Sequence, residues 1–235
     1  MILTIVLTYF NQNEMLKKQL ELWESYCNNM TNCLNDNIKF IVVDDHSKTP
    51  PDKDMLKKSY LDISLYTITD NIFFNVPGAV NLGAFMTETP WILKQDMDTI
   101  IPQESLRKLL DVLSEDKGNT IYKYYRTNGT KNSSPNKIAP GQFCIRKKDF
   151  WRIGGWDEDF CGKYGMNDPA FFFRAKQMGY NVEERKDIQV LIDEDGESDI
   201  NRDVSLNKRL YNQKVNNKIP WSRKFLRFNW VCEDI

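Results

Sequence analysis

The 235-residue sequence lacks several features that would assign its class at once. Its five cysteines, Cys27, Cys33, Cys144, Cys161 and Cys232, are odd in number, scattered and without a C-x-x-C pair. That argues against a zinc site or dithiol redox centre and for a reducing compartment. Lys and Arg total 32 against 33 for Asp and Glu, a net charge of −1. Such a balance provides no global field for gathering nucleic acid or an anionic membrane, so any phosphate-binding surface must be local. No apolar run approaches the roughly 18 residues of a membrane span. The apolar opening "MILTIVLTYF" has neither a basic n-region nor a small-residue cleavage site, and we expect it to be the first strand of a cytoplasmic protein. Neither G-x-G-x-x-G nor G-x-x-x-x-G-K-[ST] occurs, which weakens dinucleotide and P-loop readings. A phosphate compound bound here would need a metal to help hold it. Three N-x-[ST] sequons begin at Asn29, Asn128 and Asn132, as chance allows in an Asn-rich chain.

What is present alternates with a clear period. "ILTIVL" (2–7) reads as a buried strand, and Leu16, Leu20, Trp23 and Cys27 then fall on one face of a helix. "KFIVV" (39–43) and "SLYTIT" (64–69) read as strands on either side of a Pro-containing loop. A helix follows over "GAVNLGAFM" (78–86) with Pro77 in its first turn, then the strand "WIL", then a Pro-started helix carrying Leu106, Leu109, Leu110 and Leu113. Strand and helix in this alternation predict an α/β fold with a largely parallel sheet and helices on both faces. "NGTKNSSPNK" is the one long polar, turn-rich stretch and reads as a surface loop or lid. Beyond it the pattern is less regular. It runs through a strand at "GQFCIRK", a Gly- and aromatic-rich turn region, a helix from about Pro169 to Met178, the strand-like runs "YNVEE" and "IQVLI", an acidic loop and a basic, aromatic tail.

Ligands of open parallel sheets bind at the carboxyl ends of the strands. Polar side chains gather at those ends: Thr8, Tyr9 and Asn11 after the first strand, Asp44 and Asp45 after the second, Asp96 and Asp98 after the fourth. If 96–98 is extended, both carboxylates point to the same side. A hard cation such as Mg²⁺ is held by one or two carboxylates together with substrate phosphates. A solvated turn uses the same residue type, so D-x-D alone leaves both readings open.

Four blocks in order carry more information: "TIVLTYFN", "FIVVDDHS", "NVPGAVNLGAFMTETPWILKQDMD" and "GQFCIRKKDFWRIGGWDEDFCGKYGMNDPAFFFRAKQMGY". Together they resemble the family-two glycosyltransferases of the GT-A fold, and the last block is similar to the C-terminal part of galactosyltransferase-type enzymes. The resemblance spans roughly residues 2–185 and implies a Rossmann-like sheet with a less regular acceptor part. It divides the chain into a catalytic domain over 1–200 (nucleotide-sugar half 1–100, acceptor half 101–200) and a helical tail over 201–235. It implies that Thr8, Tyr9, Asn11, Asp44 and Asp45 hold the nucleotide, with Asp45 accepting from the base. Asn81 would face the donor, in a block where Val80 replaces the usual Arg. Asp98 would be the main ligand of Mn²⁺ or Mg²⁺, with Asp96 on the ribose or the metal.

The same resemblance implies a base that takes the acceptor hydroxyl's proton. The matching residue is Asp168 of the pair Asn167-Asp168, with Glu158 or Asp159 as second choices. Asp168 is equally suited to cap the helix that follows, whose N-terminus would hold its pKa down. Trp156 offers a sugar platform or a core side chain, and Asn167 an acceptor contact. Many relatives add a metal-ligating His; here Asp193 or Asp195 can take that place. In the tail, Trp221, Phe225 and Phe228 fall at i, i+4 and i+7 beside Arg223, Lys224 and Arg227. A helix so patterned can pack on its own domain, on a second copy in a homodimer, or peripherally on a membrane through 219–235. The implied activity is metal-dependent, inverting hexosyl transfer (galactose, N-acetylgalactosamine or glucose type) from a nucleotide diphosphate sugar, UDP-linked before GDP-linked. The acceptor would be a hydroxyl of a glycan or glycolipid, with no nucleic-acid partner. Sugar-phosphate nucleotidyl transfer, or an inactive carbohydrate-binding relative, would share most of these residues.

Overall fold

A computed structural model describes residues 2–29, 37–116, 118–128, 134–193 and 202–235. Cys33, Asp195, and residues 129–133 of the polar loop, Asn132 among them, lie outside them. Four parallel strands, β1 (Leu3–Tyr9), β2 (Ile38–Asp44), β3 (Ile63–Ile68) and β4 (Trp91–Asp96), form the centre in the order β4-β1-β2-β3. Their apolar runs are nearly continuous because both faces are covered. Leu3, Ile5, Leu7 and Tyr9 of β1 point towards α1 (Asn13–Asn29) and α4 (Gln103–Glu115), where Leu16, Leu20, Trp23, Leu106 and Leu109 complete one core. Val6 points the other way, onto α3 (Val76–Met86). A Cβ on Gly83 would stand 2.3 Å from Val6 Cγ1, so only glycine lets α3 lie this close to β1.

Among the described residues the sheet has nine strands in the order β5-β8-β6-β7-β4-β1-β2-β3-β9. β7 (Lys137–Arg146) runs antiparallel to β4 and leads into α5 (Lys147–Ile153). β6 (Thr120–Arg126) and β8 (Asn181–Ile192) pair in parallel, and the short β5 (Thr99–Ile100) closes that edge. The two runs "YNVEE" and "IQVLI" are therefore one strand, with a register shift against β6 between Tyr124 and Tyr125. Helix α6 covers Asn167–Gln177 and α7 covers Ser205–Val215. A helix missed in the sequence, α2 (Lys53–Lys58), is started by Asp52, whose carboxylate accepts from Asp54 N and Met55 N.

The expected tail helix over 219–231 does not form. The chain runs irregularly from 216 and ends in β9 (Trp230–Glu233), antiparallel to β3. Its aromatic spacing serves three separate sites: Trp221 packs on Phe173, Phe225 on Trp151, and Phe228 enters the cluster of Ile41, Val43, Ala79 and Leu82. The helix loses because acids elsewhere claim its backbone donors. Ser222 N bonds Asp157, Leu226 N and Arg227 N bond Glu158, and Asn229 N bonds Asp70. No helix among the described residues is long and apolar enough to cross a membrane. Truncating buried Phe228 to Ala should cost about 3 kcal/mol of unfolding free energy. Urea denaturation checks this, and a loss below about 1 kcal/mol would show that the tail is not part of the core.

Candidate active site

The register of the central strands brings the functional side chains together: Thr8 sits opposite Asp96, and Tyr9 opposite Asp44. Beyond these ends lies a cavity of about 260 Å³ whose walls include Thr8, Tyr9, Asp45, Asp96, Asp98 and Asp168. Tyr9 donates its hydroxyl to Thr49 O at 2.7 Å. Asn11 and Asp44 stand outside the cavity and brace the loops that form it. Asn11 N donates to Ser47 Oγ, Asn11 Oδ1 accepts from Thr49 N, and Asp44 accepts from Ser47 N. Asp45 is fixed from both sides: its N–H donates to Tyr9 O at 3.0 Å and its Oδ2 accepts from Asn75 N at 2.8 Å. Its Oδ1 is buried with no partner. Burial pushes this carboxyl up to about 7, despite the Asn75 N–H and with a contribution from Asp44.

Asp96 and Asp98 both line the cavity, but not on one extended segment. β4 stops at Asp96, and Asp98 lies in the turn to β5. The two acids also differ in environment. Asp96 is gripped by the Lys94 ammonium on Oδ1 and the Gln142 amide on Oδ2, and its N–H donates to Gln142 Oε1 at 3.1 Å. Asp98 accepts from the Thr99 hydroxyl at 3.4 Å and from its own backbone N–H, and burial together with the Asp96 charge pushes its carboxyl up to about 7, with Lys94 opposing. Asp193 meets Asp98 through the backbone, N–H to carbonyl at 2.7 Å, while its carboxylate pairs with Lys18. Among the described residues no three His, Cys, Asp or Glu side chains converge on one point. Two carboxylates, one of them unneutralised, fit an open site for a hard cation whose remaining ligands are water and phosphate. They do not fit a closed structural site.

Lys94, Gln142 and Gly141 are site residues that sequence reasoning missed. Lys94 is 2 % exposed, and its ammonium stands 5.5 Å from the Trp156 ring centroid. A Cβ at Gly141 would lie 3.0 Å from Asp96 Oδ2, 3.1 Å from Lys94 Nζ and 3.8 Å from Asp168 Oδ2, so glycine there opens the space these groups share. The signal was available: "KQ" inside an apolar strand with both faces covered requires a buried partner for the charge.

Asp168 does not cap α6. Met166, in the left-handed region at φ 65°, takes that place, and Asp168 stands in the first turn with Oδ1 buried and unpartnered. Its pKa is not held down by the helix end. Burial raises it to about 6, with Lys94 opposing, Asp96 reinforcing and Lys123 opposing. Asn167 beside it is buried and lines the cavity. Trp156 is 1 % exposed and stacked on Phe143, so its face is not free as a sugar platform.

Three further expectations are corrected. Asn81 is buried in a structural network, donating to Trp156 O and Glu158 Oε1 and accepting from Trp156 N, away from the cavity. Glu158 accepts from Asn81, Leu226 N and Arg227 N, and Asp159 pairs with Lys214 and Arg227. Both acids are consumed in holding the tail and neither lines the cavity. Behind them, buried Arg174 donates to the backbone carbonyls of Ile153, Gly154 and Gly155.

Residues 4–176 match the model of Glycosyl transferase family 2. The chain belongs to this family. Among solved structures, this family 2 chain is similar to S. aureus TarS in complex with UDP-GlcNAc (TM-score 0.65, 12 % identity, 86 % of this chain and 60 % of that one). It is also similar to the catalytic domain of Drosophila beta1,4galactosyltransferase 7 in complex with xylobiose (0.55, 13 %, 79 % and 65 %). A third is the mannosyltransferase PcManGT from Pyrobaculum calidifontis in complex with GDP-Man and Mn²⁺ (0.62, 12 %, 90 % and 61 %). At these identities the likeness shows the GT-A fold, and the chain spans less than two thirds of each of these structures. No curated protein matches it significantly.

A carboxyl whose folded pKa exceeds its unfolded value of about 4 stabilises the fold when protonated. That stability is complete below about pH 4 and lost as pH rises through the folded value, about 7 for Asp45. Asp45→Asn should therefore gain stability relative to the parent chain as pH is raised from about 5 to about 8. Denaturation midpoints at the two pH values test this, and equal differences would place Asp45 in a solvated setting.

Proposed function

We propose that this family 2 chain is a metal-dependent, inverting glycosyltransferase that moves a hexose from a UDP-linked donor to a hydroxyl of a glycan or glycolipid. The observation that carries this reading is the convergence of Asp45, the Asp96/Asp98 pair and Asp168 on one cavity at the carboxyl ends of parallel strands. The complexes of TarS with UDP-GlcNAc and of PcManGT with GDP-Man and Mn²⁺ support a nucleotide-sugar donor and a divalent cation. Galactose, N-acetylgalactosamine and glucose types remain the donor sugars to screen.

In this reading Thr8 and Tyr9 flank the nucleoside, and the free Oδ1 of Asp45 accepts from the base N–H. Asp98 would hold Mn²⁺ or Mg²⁺, with Asp96 beside it already engaged by Lys94. Such a cation, when bound, neutralises charge on the leaving diphosphate. Asp168 removes the acceptor hydroxyl's proton as that oxygen attacks the anomeric carbon from the face opposite the diphosphate, and a single displacement inverts the centre. A carboxyl raised to about 6 is ionised at neutral pH yet a stronger base than an ordinary aspartate. Asn167, buried next to it, is placed to orient the acceptor.

Asp168→Asn should keep UDP affinity and lose at least about 100-fold in transfer, the usual range for removing a general base. Transfer at the parent rate would sink the assignment. Asp98→Ala should abolish the gain in UDP affinity produced by Mn²⁺, read by calorimetry with and without chelator. Pyrophosphate rather than UDP as product would instead identify nucleotidyl transfer.

A further inference from the structure

A second concavity, of about 500 Å³, lies at the opposite end of α6 from Asp168. Its walls come from three elements that meet only in the folded chain: Trp151 and Arg152 of α5, Arg174 and Gln177 of α6, and Trp221, Arg223 and Phe225 of the tail. Asp168 and Gln177 are separated along α6 by about 14 Å at the helical rise of 1.5 Å per residue. The groove is therefore not part of the donor cavity.

Two properties define what it can hold. The first is flat aromatic surface. Trp151 and Phe225 meet edge to face at 5.4 Å between centroids, and Trp221 lies under the Arg174 guanidinium at 5.4 Å. The second is an excess of positive charge. Arg152, Arg174 and Arg223 line the groove, and among the described residues no carboxylate does. Arg174 is 7 % exposed, and its guanidinium is held by the carbonyls of Ile153, Gly154 and Gly155, which leave its full charge in place. Asp157, whose charge acts on Arg174, is itself paired with Lys214 at 2.9 Å and accepts from Ser222 N. Arg152 and Arg223 are exposed.

Aromatic faces beside guanidinium forks bind a ligand that is apolar on its ring face and anionic at its edge. An anionic bilayer offers the same charge, but a membrane-binding surface projects its rings. Here Trp151, Trp221 and Phe225 are all half-buried in a recess of ligand size. We propose that this groove is a binding site for an acidic saccharide, a pyranose bearing a carboxylate or phosphate. Its ring lies against Trp151 and Phe225, because Trp221 is already covered by Arg174, Lys214 and Phe173, and its anion lies on the exposed Arg152 and Arg223. The further statement that it grips the far end of an extended acceptor rests on the reading of Asp168 as the base.

Calorimetry on the full chain at low ionic strength tests the site. The probes are tetragalacturonate, cellotetraose as the uncharged control, inorganic phosphate and phosphatidylglycerol vesicles. Tetragalacturonate should bind and quench tryptophan fluorescence, and Arg223→Glu and Arg152→Glu should each weaken it at least tenfold while UDP affinity is unchanged. Either substitution is on an exposed side chain, and the UDP measurement reports that the variant is folded. No binding of tetragalacturonate, binding unaffected by both variants, equal binding of cellotetraose, or displacement by phosphate at equal concentration would each overturn the proposal. Vesicle binding without oligosaccharide binding would overturn it in favour of a membrane surface. Loss of UDP binding by the parent chain would count against the donor cavity and leave this groove's result standing.

Discussion

The buried carboxylate of Glu158 is the tie on which the rest of the structure depends. Its two oxygens accept from the Asn81 amide at 2.8 Å and from the backbone N–H groups of Leu226 and Arg227 at 2.8 and 3.0 Å. One side chain thus joins α3 on the nucleotide side, the turn that precedes α6, and the tail. Asn81 closes the network by bonding both backbone groups of Trp156. Next to it, fully buried Lys214 answers Asp157 and Asp159 at 2.9 and 2.7 Å. Ionised groups this deep are tolerable only because each is paired and hydrogen-bonded; removing one partner typically costs about 3–5 kcal/mol. The network fixes Trp156, and Trp156 with Phe143 and Phe171 forms the floor on which α6 presents Asp168.

The cavity above that floor collects four carboxylates, Asp45, Asp96, Asp98 and Asp168, with Lys94 set among the last three. Lys94 binds Asp96 directly and opposes the upward shifts of Asp98 and Asp168. It thereby separates acids that a bare cluster would make equivalent. In the proposed reading Asp96 is neutralised in place, Asp98 is left for a cation, and Asp168 is basic without being protonated at neutral pH. This division of labour between carboxylates is set by environment rather than by residue type.

Much of the cavity's lining was legible in the sequence because parallel strands buried on both faces read as continuous apolar runs, whose ends mark where open sheets gather polar loops. Asp45, Asp98 and Asp168 could be picked out on that basis together with the order of the four blocks. What could not be read was whose side chain meets whose. Asn81, Glu158 and Asp159 carry the same chemistry as site residues, and only the long-range pairing with residues 226–227 and 214 shows that they are spent on the fold. The tail failed for the converse reason: a helical period arose from three aromatics filling three unrelated gaps, and tertiary hydrogen bonds outweighed local propensity. Lys94 was passed over because a strand's apolar average hid one buried charge.

The pairing of β9 with β3 has a consequence for biogenesis. The strand that covers β3's outer edge, and the Phe228 ring that covers Ile41 and Val43, are separated from their partners by about 160 residues or more of chain. During synthesis this edge and this apolar patch stand open until residues 226–233 emerge, and only then can the Glu158 network close. Contacts of such sequence separation form late and slowly, and an open strand edge is the usual seed of misassembly. The nascent chain is therefore vulnerable in the interval between the emergence of β3 and that of β9, when the sheet waits for this edge strand.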